Sequence, residues 1–174
     1  MGRMSKYKRS GSPGGLAVFL QDGSGKLVEQ APDASGIDLD DGSRYSLLDV
    51  DRDGDLDVIA MTPDGARVLK NTKGQDNNWV MIDVLGDMDG VAADALGTRI
   101  ELVIGDQHIT REVQGGGHDG MSHTRSLHFG LGDAEAVDEV IVTWPNGNKQ
   151  TLPGSSVLLK TPLVLDSKGL HKGT

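Results

Sequence analysis

The chain has no cysteine, so disulfides and thiol chemistry are both closed to it, and a small fold would need another staple such as a bound metal. Aromatic residues are scarce, two each of Phe, Tyr and Trp in 174 residues, so a core must be built mainly from aliphatic side chains. No run of 18 apolar residues occurs, which excludes a membrane-spanning helix. Basic residues are outnumbered, 17 against 26 acidic ones, giving a net charge of -9. With a pI near 4.8, the chain lacks the cationic face that phosphate backbones require, which excludes nucleic acid as a partner. Helix signals are nearly missing as well.

Glycine is abundant instead, 25 residues in all, well above the usual share of about 7%. Short apolar runs separated by Gly, Asp, Asn or Pro clusters recur along the chain, the pattern of an all-β protein. Strands are expected at 16–21, 26–30, 45–49, 56–62, 66–70 and 79–85. After a glycine-rich break, further strands are expected at 99–104, 108–113, 126–129, 139–144, 149–152 and 157–160. Asp22-Gly23, Asp64-Gly65 and Asn146-Gly147 each separate two apolar runs and predict tight hairpins.

The polar, aperiodic stretch 71–78 suggests a boundary between a first unit at 15–75 and a second at 76–165. Residues 1–14 form a basic tail, with Arg3, Lys6, Lys8 and Arg9 followed by glycine and serine. No apolar stretch follows them, so no signal peptide is read there. The tail's charge suits contact with an acidic partner or a membrane surface. Residues 166–174 are expected to be a loose C-terminal tail.

The most informative stretch is Asp49-Val-Asp-Arg-Asp-Gly-Asp-Leu-Asp57, a carboxylate at every odd position. Two unit charges about 4 Å apart repel by roughly 4 kcal/mol at an effective dielectric near 20. Folding these side chains inward is therefore costly unless a hard divalent cation accompanies them. Calcium takes six to eight oxygen ligands, and a turn with oxygens at alternate positions supplies several from one segment. Asp49, Asp51, Asp53, Asp55 and Asp57 are the candidate calcium residues, position 55 through its backbone carbonyl by analogy with such loops. An EF-hand would need a bidentate glutamate where Ala60 stands, and helices on both flanks. The flanks instead look like two adjacent strands.

At these residues the sequence resembles FG-GAP or VCBS repeats, the calcium-loop blades of integrin-α-type β-propellers. Val18-Phe-Leu-Gln-Asp-Gly-Ser-Gly-Lys-Leu27 is similar to the hairpin of such repeats, and Gly65-Ala-Arg-Val-Leu-Lys-Asn71 to the strand after the loop. A propeller closes with four to eight blades, whereas this sequence holds a single aspartate loop. The resemblance thus implies one blade-like unit that either belongs to the C-terminal part of a longer protein or completes itself against the second unit or against other protein chains covering its open edges.

In the second half, Ala95-Leu-Gly-Thr-Arg-Ile-Glu-Leu102, Ser126-Leu-His-Phe-Gly-Leu-Gly-Asp133 and Val140-Ile-Val-Thr-Trp-Pro-Asn-Gly147 resemble the ASPIC/UnbV domain. That domain follows FG-GAP-type repeats in proteins similar to cartilage acidic protein. The resemblance covers about 78–155 and implies a small β domain outside the cytoplasm, extracellular or periplasmic. Phe129 and Trp144 are the large groups available for its core. The competing reading is a recognition surface made by Arg111, His118, Arg125 and Trp144.

His118, His123 and His128 could suggest a metal, but a spacing of five alternates faces on an extended strand, and a surface or turn role fits better. Asp83, Asp87, Asp89 and Asp94 form a second, weaker calcium candidate. No catalytic elbow, zinc helix, Walker loop or dinucleotide fingerprint is present, so no catalytic residue is assigned. The expectation is a calcium-binding, non-enzymatic β module making protein or glycan contacts within a larger assembly. The alternative is an accessory subunit or fragment of a metal-dependent hydrolase.

Overall fold

The computed structural model describes residues 18–22, 24–31, 44–72, 76–116 and 122–173. Among them are thirteen strands and a turn of 3-10 helix at Gly154–Ser156, an all-β fold. Contacts divide the chain into two units, one of residues 1–46 and 58–69, the other of 47–57 and 70–174. The aspartate loop is thus grouped with the second unit, whereas the sequence reading placed it in the first.

The first unit holds the hairpin of β1 (Val18–Gln21) and β2 (Leu27–Gln30). It also holds most of a three-stranded sheet ordered β3 (Arg44–Leu48), β4 (Asp57–Thr62) and β5 (Gly65–Leu69). Strands β4 and β5 are joined by Pro63-Asp64, with Thr62 paired to Gly65. Gly23 and residues 1–14 lie outside the described residues, so the basic-tail expectation does too. In the β1–β2 turn, the glycine in the left-handed region is Gly25, at φ 84°.

The second unit contains two four-stranded sheets. One is antiparallel, ordered β11 (Lys149–Pro153), β10 (Glu139–Thr143), β7 (Arg99–Ile104) and β8 (Gln107–Glu112). The other is ordered β13 (Gly169–Lys172), β12 (Pro162–Asp166), β6 (Asn78–Val84) and β9 (Leu127–Gly132), with β12 parallel to β6. Strict alternation builds the core: Ile100 and Leu102, Val140 and Val142, Val80 and Ile82, Leu127 and Phe129, and Leu163 and Leu165 all turn inward. Phe129 and Trp144 are buried in this core. The Trp144-Pro-Asn-Gly147 hairpin forms as expected: Gly147 N–H donates to Trp144 O at 2.9 Å, and Gly147 sits at φ 88°.

Two expectations for the C-terminal region fail. Residues 157–160 are not a strand, because Lys160 is left-handed at φ 51° and ends the extended path, while Val157 and Leu159 pack on the core from a loop. Nor is 166–174 loose through its described part. Residues 162–172 form a hairpin whose first strand lies between β13 and β6 and buries Leu163 and Leu165. The apolar alternation here is only two residues deep and starts at a proline, which is tolerated at a strand's first position.

Candidate metal centre

β3 ends at Leu48 and β4 begins at Asp57, so the aspartate run joins two neighbouring strands, as the flanking sequences suggested. Two left-handed residues, Arg52 at φ 61° and Gly54 at φ 96°, curl the backbone around its own carboxylates. Asp49 accepts the Asp53 N–H at 3.2 Å and the Gly54 N–H at 2.9 Å, one through each oxygen. Asp53 Oδ1 accepts the Asp55 N–H at 3.2 Å. Asp57, only 1% exposed, accepts the Val50 N–H and the Asn71 N–H, each at 2.8 Å. These amides offset part of the negative charge and fix where the carboxylates point.

Asp49, Asp51 and Asp57 each bring an oxygen to within 4.8 Å of the other two, the one such group among the described residues. Asp53 and Asp55 stand outside that trio, and Asp55 is buried. On the solvent side, Lys70 Nζ donates to Asp51 Oδ2 at 2.9 Å. This hydrogen bond and the lysine's charge hold the Asp51 carboxyl below its ordinary range, and Asp51 in turn raises the lysine. An all-carboxylate donor set with no imidazole or thiolate has the chemistry of a hard-cation site and suits calcium.

Sequence reasoning missed what holds the loop. The Trp79 indole lies against the Gly54 Cα, and His128 Nε2–H donates to Gly54 O at 2.6 Å. Both side chains project from the outer face of the β6–β9 pair, where the aspartate loop rests. Burial pushes the His128 imidazole below its ordinary value; the bond to Gly54 and the charge of Asp49 oppose that, while Arg111 adds to it. The imidazole is therefore neutral near pH 7. The only hint in the sequence was an aromatic and a histidine facing outward on strands that otherwise alternate cleanly. Beside the loop runs an open cleft of about 300 Å³, lined among others by Gly54, Asp55, Asn77, Asn78, His128 and Gly130.

The remaining candidates disperse. Asp83 bonds Ser126, Asp87 bonds Ser167 N–H at 2.8 Å, and Asp94 meets Arg125 at 3.5 Å. With Asp89 they form no metal-sized group among the described residues. His123 Nδ1 accepts the Leu47 N–H at 3.1 Å, a turn-bracing role. His118 lies outside the described residues. The recognition surface fails at Trp144, which is buried because it caps the core, while Arg111 donates to His128 O at 3.1 Å and lies over the Phe129 ring.

No curated protein matches the chain. The sequence profile of the family described as ASPIC and UnbV matches residues 89–161, a span inside the expected second unit that takes in β7, β8, β9, β10 and β11. The two-sheet unit thus carries an ASPIC/UnbV domain at residues 89–161.

Proposed function

We propose that this chain is a calcium-stabilised, non-enzymatic β module that makes protein or glycan contacts outside the cytoplasm as part of a larger assembly. The observation that carries the metal half is the convergence of Asp49, Asp51 and Asp57 within 4.8 Å. Carboxylates held this close gain most from a divalent ion, because it removes their mutual repulsion. Asp53 and the carbonyl of Asp55 complete the ligand set in this reading, with Gly54 turning the chain between them.

The ASPIC/UnbV domain supports the setting outside the cytoplasm, and the first unit supports the assembly. That unit resembles an FG-GAP/VCBS blade and leaves Leu20 at 57% and Val68 at 50% exposed. Sheet edges and apolar side chains of this kind are normally covered by neighbouring protein.

Thermal unfolding in chelator and in millimolar calcium tests the reading. A stabilisation of about 2.7 kcal/mol is expected with calcium at a hundred times its dissociation constant. An unfolding midpoint that is the same in both conditions overturns the metal half.

A further inference from the structure

The outer face of β9 carries His128, Gly130 and Gly132, while Leu127, Phe129 and Leu131 fill the core. Glycine inside a strand loses packing and conformational entropy, and it often marks a place where a ligand comes close. Gly132 is left-handed, at φ 61°, and its own backbone explains it. Gly130 has no such reason: its φ is not left-handed, and an added Cβ would meet only His128 Cε1, at 3.9 Å. What glycine supplies at position 130 is room in the cleft.

The chemistry around that room is selective. Among the described residues that line the cleft there is no lysine or arginine and Asp55 is present, so anions are disfavoured. Leu56 is the only aliphatic side chain among the described lining residues, too little for a lipid. Three asparagines, 71, 77 and 78, border it. His128 commits Nε2–H to Gly54 O, which leaves Nδ1 as an acceptor. Asn78 Nδ2 donates to Ala134 O at 3.0 Å, which leaves its carbonyl oxygen as another. Amides that both donate and accept, beside an imidazole acceptor, match adjacent hydroxyls, which also do both. At about 300 Å³ the cleft is at the small end of ligand sites, the size of a sugar ring rather than a long polymer.

We propose that the trough over Gly130, between the aspartate loop and Asn77–Asn78, binds a neutral carbohydrate ring. The proposal deepens the glycan half of the function above and does not need the calcium half. Asn77 and the Asn78 carbonyl take the hydroxyls, His128 Nδ1 accepts from one of them, and Gly130 admits the ring face.

The test is a ¹⁵N–¹H NMR titration of the full chain with methyl glycosides of glucose, galactose and N-acetylglucosamine, against glucose 6-phosphate. It is run in calcium and again in chelator, on the parent chain, Gly130→Ala and Asn77→Ala. Expected are saturable shifts confined to residues 77–79 and 128–132 with at least one neutral glycoside, weakened roughly tenfold by either substitution. The amide spectrum elsewhere stays unchanged, which separates a lost site from a lost fold. No shifts with any neutral glycoside, shifts indifferent to both substitutions, or tighter binding of the phosphate each overturn the proposal. Glycoside shifts without a calcium-dependent unfolding midpoint would sink the calcium reading alone; the reverse pattern would sink the carbohydrate reading alone.

Discussion

The indole of Trp79 occupies the space in which a side chain at Gly54 would have to stand: a Cβ there would lie 1.7 Å from Trp79 Cε2. The ring is buried and cannot retreat, and Gly54 is also left-handed at φ 96°. Gly54→Ala therefore suffers both backbone strain and overpacking, each about 1–3 kcal/mol. Urea denaturation in chelator should show a loss on the order of 3 kcal/mol. A loss below about 0.5 kcal/mol, the range of an ordinary surface change, would mean that the loop does not rest on Trp79. Because the indole touches the loop, its fluorescence should also report calcium binding.

The glycine at the sharp bend and the carboxylates at alternate positions were legible from residue type and spacing, since local chemistry alone demands them. The support for that bend was not. Trp79 and His128 reach Gly54 across 25 and 74 positions of chain, and no local period encodes such a meeting. Strands such as Arg99–Ile104 were readable because their alternation is long and flanked by turn residues. Pro162–Asp166 was not, because its place beside β6 is set by a parallel pairing between distant segments. The run at Val157 looked like a strand for its apolar content, although its side chains reach the core from a loop.

Asp57 is the internal strut of the site. Each of its oxygens accepts a backbone N–H, so in Asp57→Asn the amide nitrogen must face one of those donors, whichever way it flips. The cost of leaving such a group unsatisfied is about 1–3 kcal/mol. Denaturation in chelator should show that loss, and the calcium-dependent rise in unfolding midpoint should vanish. Retention of the full rise would remove Asp57 from the ligand set.

Lys70 competes with a cation for Asp51. Lys70→Met keeps the aliphatic stem and removes the charge, so calcium titration should show tighter binding than in the parent chain. In chelator the variant should unfold at a higher pH on acidification. Asp51 is held below its ordinary value of 3.8 by Lys70, so its stabilisation is complete above that value and is lost as pH falls through the lower folded one. Without the lysine that contribution disappears. Weaker calcium binding in Lys70→Met would show that the lysine organises the site rather than competing for it.

His128 gives a second pH window. Its folded value lies below the ordinary 6.5 because burial disfavours the imidazolium. Between the two values the unfolded chain binds more protons, so stability is complete above 6.5 and falls as pH drops toward the folded value. Thermal unfolding in chelator should therefore show a midpoint that declines with acidification in this range. His128→Gln, which retains a donor for Gly54 O, should flatten the decline. An unchanged slope would assign it to other groups.

Residues 162–172 decide whether the second unit is closed or open. Strand β12 is hydrogen-bonded on both sides, to β6 and β13, and its Leu163 and Leu165 are fully enclosed. Truncation after Thr161 would strip these two leucines from the core, at about 1.5–3 kcal/mol each, and expose the β6 edge. Together that is about 3–6 kcal/mol, a large share of the about 5–15 kcal/mol that holds a small domain folded. Yet the matched family span, 89–161, ends just before this hairpin, so a chain cut at the family boundary should be aggregation-prone. Circular dichroism and gel filtration of a chain ending at Thr161 check this. A monomer with a cooperative unfolding transition like the parent's would show that β12 is dispensable to the second unit.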